Sequence, residues 1–149
     1  MGINTVTTQW KKNMQFESDN PSGHNLTMLD ASADNGDVKG YGPKALMLSS
    51  LAGCSGLDVD WLLAKMRATV ADFKIVVTGE LTEEHPKFYH KVQVDYHFYG
   101  SDLKRDKITK AVNLSIDTYC GVMEMFRGFA TVTTDIHFHE NEHPSQNLN

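Results

Sequence analysis

Residues 43–67, PKALMLSSLAGCSGLDVDWLLAKMR, form the longest continuous apolar, helix-compatible segment of the chain, and their reading decides the fold. Pro43 stands where proline suits a helix, in the first turn. A helix of about 25 residues extends roughly 37 Å, close to the width of a small domain. Its N-terminal half (Ala45, Leu46, Met47, Leu48, Leu51, Ala52) is apolar almost all round, which predicts a central strut buried on most sides. Cys54 sits in the middle of this strut, on one stripe with Met47, Leu51, Asp58 and Trp61. In such a place a free cysteine is ordinarily a small packing residue. Gly53 and Gly56 flank it, each costing about 1 kcal/mol relative to alanine in a helix interior. They point to another backbone or a ligand close beside Cys54, although close packing alone also accounts for them.

Lys44, Asp58, Asp60, Lys65 and Arg67 interrupt the stretch. The uncharged run from Ala45 to Leu57 is 13 residues, against about 20 for a bilayer span, so no membrane segment is expected. Met1–Trp10 is polar and Thr-rich without an apolar core, so no secretory signal is expected and the protein should be soluble and cytoplasmic. The 149 residues, 40% hydrophobic and 22% charged, suit one domain over 1–149. A net charge of −5 without a basic run disfavours nucleic acid as a partner. Two cysteines in such a chain read as reduced thiols rather than a structural staple.

Upstream of the helix, residues 3–10, 14–18 and 24–30 read as three strands of an antiparallel meander, with turns at Lys11–Asn13 and 19–23. The small, Gly-rich segment 31–42 is a loop. Downstream the period changes to two. Residues 73–81 and 88–100 are strands, and the even residues of the second (His90, Val92, Val94, Tyr96, Phe98) form its buried face. Ser101-Asp102 offers an N-cap for an amphipathic helix from Leu103 to Tyr119. Cys120-Gly121 breaks that helix, a short turn of helix follows at 122–126, and residues 131–140 alternate as a last strand. The class is α+β.

Reactivity at a cysteine requires thiolate, which cationic neighbours or a helix N-terminus favour. Mid-helix Cys54 gains little from the helix dipole, and Asp58 one turn away opposes ionisation. Cys120 stands at the start of the 122–126 turn. The two could cycle through a disulfide if their Cα atoms approach within about 7 Å. His137 and His139 project from one strand face, with His143 following. No companion ligand sits at fixed spacing, so a solvated face and no metal are expected. His90 and His97 should fall on opposite faces. Nucleophile-elbow, phosphate-loop and dinucleotide motifs are absent.

The run GPKALMLSSLAGCSGLDVDWLLAKM, with its cysteine eleven positions after the Pro, then two strands, an amphipathic helix and DTYCGVMEMF, resembles the OsmC/Ohr family of thiol peroxidases over nearly the whole chain. It is most similar to the general OsmC-like branch. The resemblance implies an intertwined homodimer, with antiparallel sheets around two long central cysteine helices and sites built from both chains. It also implies that Cys54 is the peroxidatic and Cys120 the resolving cysteine. The substrate would be an organic hydroperoxide, reduced without a cofactor in oxidative or osmotic stress defence, and a dithiol reductant would close the cycle. Lys44 and Asp58 are the supporting residues. In the family's typical enzymes a Glu directly follows the helix-opening Pro and pairs with an N-terminal Arg. Here Lys44 takes the Glu position and no Arg precedes Arg67, leaving Lys44, Lys11 or Lys12 as cations. The alternative is therefore a non-catalytic protein of the same fold that binds a small apolar ligand at the dimer interface.

Overall fold

A computed structural model describes residues 2–20, 22–29 and 39–142. Most of the loop expected over 31–42, the end of the third strand at Asp30, Pro21 of the second turn, and the tail from His143 lie outside the described residues. The chain forms two compact units, Met1–Met47 and Leu48–Asn149. Helix α1 (Pro43–Lys65) begins in the first and continues into the second.

In the first unit β1 (Thr8–Trp10), β2 (Gln15–Ser18) and β3 (Leu26–Leu29) form the expected antiparallel meander, in the order β1-β2-β3. Lys12, Asn13 and Met14 adopt positive φ (73°, 47° and 60°) between β1 and β2, and the Gln15 N–H donates to the Lys12 carbonyl at 2.9 Å. Asn13 and Met14 therefore centre a turn of the hand whose twist matches paired strands. After the undescribed loop, Tyr41 bridges to Met28 in parallel, and the Tyr41 N–H donates to the Thr27 carbonyl. The chain then enters α1 at Pro43.

Helix α1 ends at Lys65 because Arg67 takes a left-handed conformation (φ 55°). The Ala68 N–H then reaches the Leu63 carbonyl and the Arg67 N–H the Ala64 carbonyl. This is the paired closure that glycine usually provides. Within the single chain the burial expected on most sides of α1 is met along one stripe. Only Leu51, Ser55, Val59, Leu62 and Leu63 are buried, along one stripe. Ala45 and Met47 are exposed, as is Leu57 at 75%. By length and composition alone α1 could cross a membrane, and 28% of its most apolar window is buried. An apolar sequence fixes how much surface seeks cover, and this chain covers one side of it.

The second unit holds a sheet of order β4-β5-β6, made of β4 (Asp72–Leu81), β5 (Tyr89–Gly100) and β6 (Thr131–Glu140). β4 and β5 are antiparallel, but β6 lies parallel to β5, so this sheet is mixed rather than wholly antiparallel. A parallel partner needs a crossover, supplied here by α2 (Arg105–Leu114), a π-helical turn (Ser115–Tyr119) and α3 (Gly121–Arg127). The helix expected over 103–119 thus changes pitch at Ser115. Its N-cap is Lys104 without a side-chain cap, because Asp102 turns left-handed (φ 57°) and the chain runs on two residues before winding.

The register of β5 shifts opposite Glu80/Leu81, where Leu81 pairs with Tyr89 and Glu80 with Lys91. This bulge leaves His90 as the extra residue. Tyr89 is therefore buried, and His90 leaves the apolar set to meet Glu80 at 2.9 Å. Beyond the bulge Val92, Val94, Tyr96 and Phe98 are buried as the alternation predicts, facing α1, α2 and α3 residues in one core. Gly79 is required here, since a Cβ would lie 2.5 Å from the Tyr89 ring.

Candidate functional site

Cys54 and Cys120 come together within the second unit. Cys54 is half-buried on α1, Cys120 is buried, and both are free thiols. Cys120 is the N-cap of α3, and its sulfur accepts the Met123 N–H at 3.3 Å. Its thiol is nevertheless pushed up to about 11, first by burial and then by a hydrogen bond and charge interaction with Cys54 and by the Asp58 carboxylate. The Met123 N–H opposes that rise without cancelling it. Loss of solvation outweighs a helix N-terminus at this sulfur. Burial thus holds Cys120 as a protonated thiol beside the half-buried Cys54.

Below the thiols runs a buried polar chain that sequence reasoning did not pick out. The Ser55 and Tyr96 hydroxyls are 2.7 Å apart, those of Ser55 and Ser115 are 2.8 Å apart, and the Ser115 hydroxyl donates to Asp58 Oδ2 at 3.0 Å. Ser55, Ser115 and Tyr96 are fully buried. Burial pushes the Tyr96 phenol up to about 12, against the opposing hydrogen bond with Ser55. The available signal was a serine at each of two apolar-stripe positions, Ser55 on α1 and Ser115 on the crossover helix.

The π-helical turn places Cys120. Its N–H donates to the Ser115 carbonyl at 2.9 Å, where an α-helix would use Ile116. The freed Ile116 carbonyl accepts Arg127 Nη2, while Arg127 Nη1 pairs with Glu124 at 3.0 Å. Arg127 is also among the charges acting on Tyr96, favouring its ionised form.

The two supporting residues belong to different units. Asp58 joins the thiol site through Ser115. Lys44 belongs to the first unit, where it lines an apolar cleft of about 440 Å³ with Met14, Phe16, Met28 and Pro43. Lys11 and Lys12 also lie in that unit, Lys11 paired with Glu17 at 3.8 Å and Lys12 stacked 3.9 Å from the Trp10 ring centre. Among the described residues nothing crowds the glycines flanking Cys54: a Cβ on Gly53 would meet no atom within 4 Å, and one on Gly56 only Ile75 at 3.4 Å.

His137 and His139 do share a face, and parallel pairing brings His97 between them. The His97 ring stacks on His137 at 4.5 Å, and its Nδ1 lies 2.9 Å from His139 Nε2. His137 Nε2 bonds Asp95 Oδ1 at 2.8 Å. Among the described residues no group of three or more His, Cys, Asp or Glu is placed to hold a metal.

A family model described as OsmC-like protein matches residues 35–135. Protein YhfA of Escherichia coli K12 is 31% identical over 125 residues, covering 84% of this chain and 90% of that protein. A hypothetical protein from Aquifex aeolicus VF5 has a solved structure with TM-score 0.77 and 28% identity, covering 94% of this chain and all of the other (100%). An OsmC-like protein from Mycoplasma pneumoniae superposes with TM-score 0.78 at 15% identity, covering 93% and 99%. The organic hydroperoxide resistance protein OhrB of Bacillus subtilis gives 0.65 at 17%, covering 91% and 98%. The α+β fold is therefore that of OsmC and Ohr proteins, and the chain belongs to the OsmC-like protein family.

Proposed function

We propose that this OsmC-like protein reduces organic hydroperoxides with Cys54 as peroxidatic and Cys120 as resolving cysteine. The carrying observation is the pair of free thiols brought within interaction range in the second unit, one half-buried and one buried. The Cys54 thiolate attacks the distal oxygen of ROOH and the O–O bond breaks, giving Cys54 sulfenic acid and an alkoxide that takes a proton to leave as ROH. The Cys120 sulfur then attacks the sulfenic sulfur. Its proton and the sulfenic hydroxyl leave as water, and a Cys54–Cys120 disulfide remains. An external dithiol returns both thiols by exchange. Asp58 holds negative charge beside the pair and favours the protonated resolving thiol.

The working unit in this reading is a cytoplasmic homodimer. Leu57, Trp61 (52% exposed) and Tyr119 (50% exposed) form an uncovered apolar surface beside the open Gly53 turn, and a second copy would cover it. Consumption of tert-butyl hydroperoxide with dithiothreitol tests the chemistry. Wild type should turn over, Cys54→Ser should be inactive, and Cys120→Ser should stall as a sulfenic acid trapped by dimedone. Equal rates for wild type and Cys54→Ser would end the enzyme reading.

A second reading is supported by the apolar cleft lined by Met14, Phe16 and Met28: a non-catalytic protein that binds a small apolar ligand. Native mass spectrometry showing a bound ligand, with mass and thiol count unchanged by stoichiometric hydroperoxide, would favour it. An empty and oxidisable protein would eliminate it.

A further inference from the structure

We infer that Ser115, with Ser55, Tyr96 and Asp58, is a positioning clamp that ties the turn carrying Cys120 to the turn carrying Cys54 and so sets how readily the two sulfurs join. The inference rests on reading the two thiols as a reactive pair. The direction of the chain follows from its end. A carboxylate at Asp58 can only accept, so Ser115 donates to it. Ser115 then accepts from Ser55, and Ser55 accepts from Tyr96. Three hydroxyl protons serve these three hydrogen bonds, the Ser115 hydroxyl also approaching the Ser55 carbonyl at 3.4 Å, and no buried side-chain polar atom among the described residues lacks a partner.

Ser115 is the joint between the two thiol-bearing turns. Its hydroxyl grips Ser55, the residue after Cys54, and its carbonyl accepts the Cys120 N–H at 2.9 Å. One residue therefore fixes both turns, by side chain on one side and main chain on the other. The π-helical pitch makes this possible, since it hands the Cys120 N–H to Ser115 and leaves the Ile116 carbonyl to Arg127. A purely structural packing site has no need of this polar content. Replacing hydrogen-bonded partners together by apolar groups of the same shape is often nearly neutral for stability. The hydroxyl chain instead gives one defined geometry between α1 and the π-helical turn, which raises the effective concentration of one thiol toward the other.

The test is equilibration of the Cys54–Cys120 pair with glutathione, in which two protein thiols and one oxidised glutathione give the disulfide and two reduced glutathiones. Wild type, Ser115→Ala, Ser115→Thr and Tyr96→Phe are compared by mass and thiol count. Ser115→Ala should lower the equilibrium constant for disulfide formation about tenfold, which is about 30 mV for this two-electron couple. Ser115→Thr keeps the hydroxyl and should stay within about threefold of wild type. Tyr96→Phe, milder and still folded, should lower the constant by about threefold. An unchanged constant in Ser115→Ala, or in Tyr96→Phe if Ser115→Ala does not fold, would overturn the clamp, as would a wild type that forms no intramolecular disulfide at any glutathione ratio. The peroxide assay is separate: a wild type inert to hydroperoxide but showing these shifts would sink the peroxidase and keep the clamp.

Discussion

The two faces of the β4-β5-β6 sheet carry polar networks of opposite kinds. On the inner face one hydroxyl, that of Tyr96, enters a buried chain of hydroxyl hydrogen bonds. On the outer face Asp95, His97, His137 and His139 form a partly solvated ladder in which Gln93 links Asp95 to Asp135, and Thr133 donates to Gln93. The inner network loses a defined geometry if any member is removed, because nothing can replace it. The outer one can recruit water, and its His97 imidazole, held below its usual range, is the group that changes charge with pH. Position relative to solvent, more than residue type, decides whether a polar cluster acts as a clamp or as a titrating surface.

Neighbouring residues on β5 give the largest expected contrast. Phe98→Ala on the inner face should cost about 3–5 kcal/mol, while His97→Ala on the outer face should cost about 1 kcal/mol. Equal losses in urea unfolding would erase the distinction. Tyr96→Phe removes one hydroxyl and should cost about 1–3 kcal/mol, because Ser55 loses a partner it cannot replace with water. A neutral result would mean that water reaches the inner chain.

Gly53→Ala carries the same question to α1, which also has one covered and one bare face. In an isolated chain the substitution should stabilise by about 1 kcal/mol through helix propensity. If a second copy packs there, the protein should instead lose stability and dissociate more readily on dilution, as sedimentation would show.

The smallest effect is in pH. Burial, His137, His139 and Lys74 hold His97 below its usual range, and the hydrogen bond from His137 leads the effects holding Asp95 below its own. The unfolded chain then binds more protons than the folded one, so stability rises with pH. The His97 part is lost as pH falls below about 6.5 and the Asp95 part below about 3.9. Thermal unfolding of wild type should therefore weaken toward acid, and His97→Gln should flatten the part between pH 5 and 7. A wild-type profile flat over pH 4–8 would contradict the ladder.

Much of this was legible in the sequence. Pro43 marked the start of α1, the period-two runs gave β4, β5 and β6, and Cys120-Gly121 marked the break before α3. The single chain covers α1 along one stripe only, which the sequence did not show, because apolarity shows that a face needs cover but not which chain supplies it. The phase slip at His90 has no marker, since one inserted residue leaves the composition of β5 unchanged. The polar chain joins Ser55, Tyr96 and Ser115 from three elements, 41 and 60 residues apart, and each alone passes for a tolerated core residue. The family motif singled out Cys54 and Cys120, while the polar chain near them needed the fold.

The parallel placement of β6 has a consequence for the order of folding. Val94 pairs with Val77 in its hairpin, 17 residues away, but with Thr134 in β6, 40 residues away. Local pairings form sooner than distant ones, so the hairpin is expected first and β6 last, after the crossover has docked. Cys120 travels inside that crossover and should reach Cys54 only near the end of folding. A chain still being synthesised would thus be kept from closing its two sulfurs early. Pulsed alkylation during refolding tests this: Cys120 should become protected only after the hairpin has formed, and protection in the first phase would reverse the order.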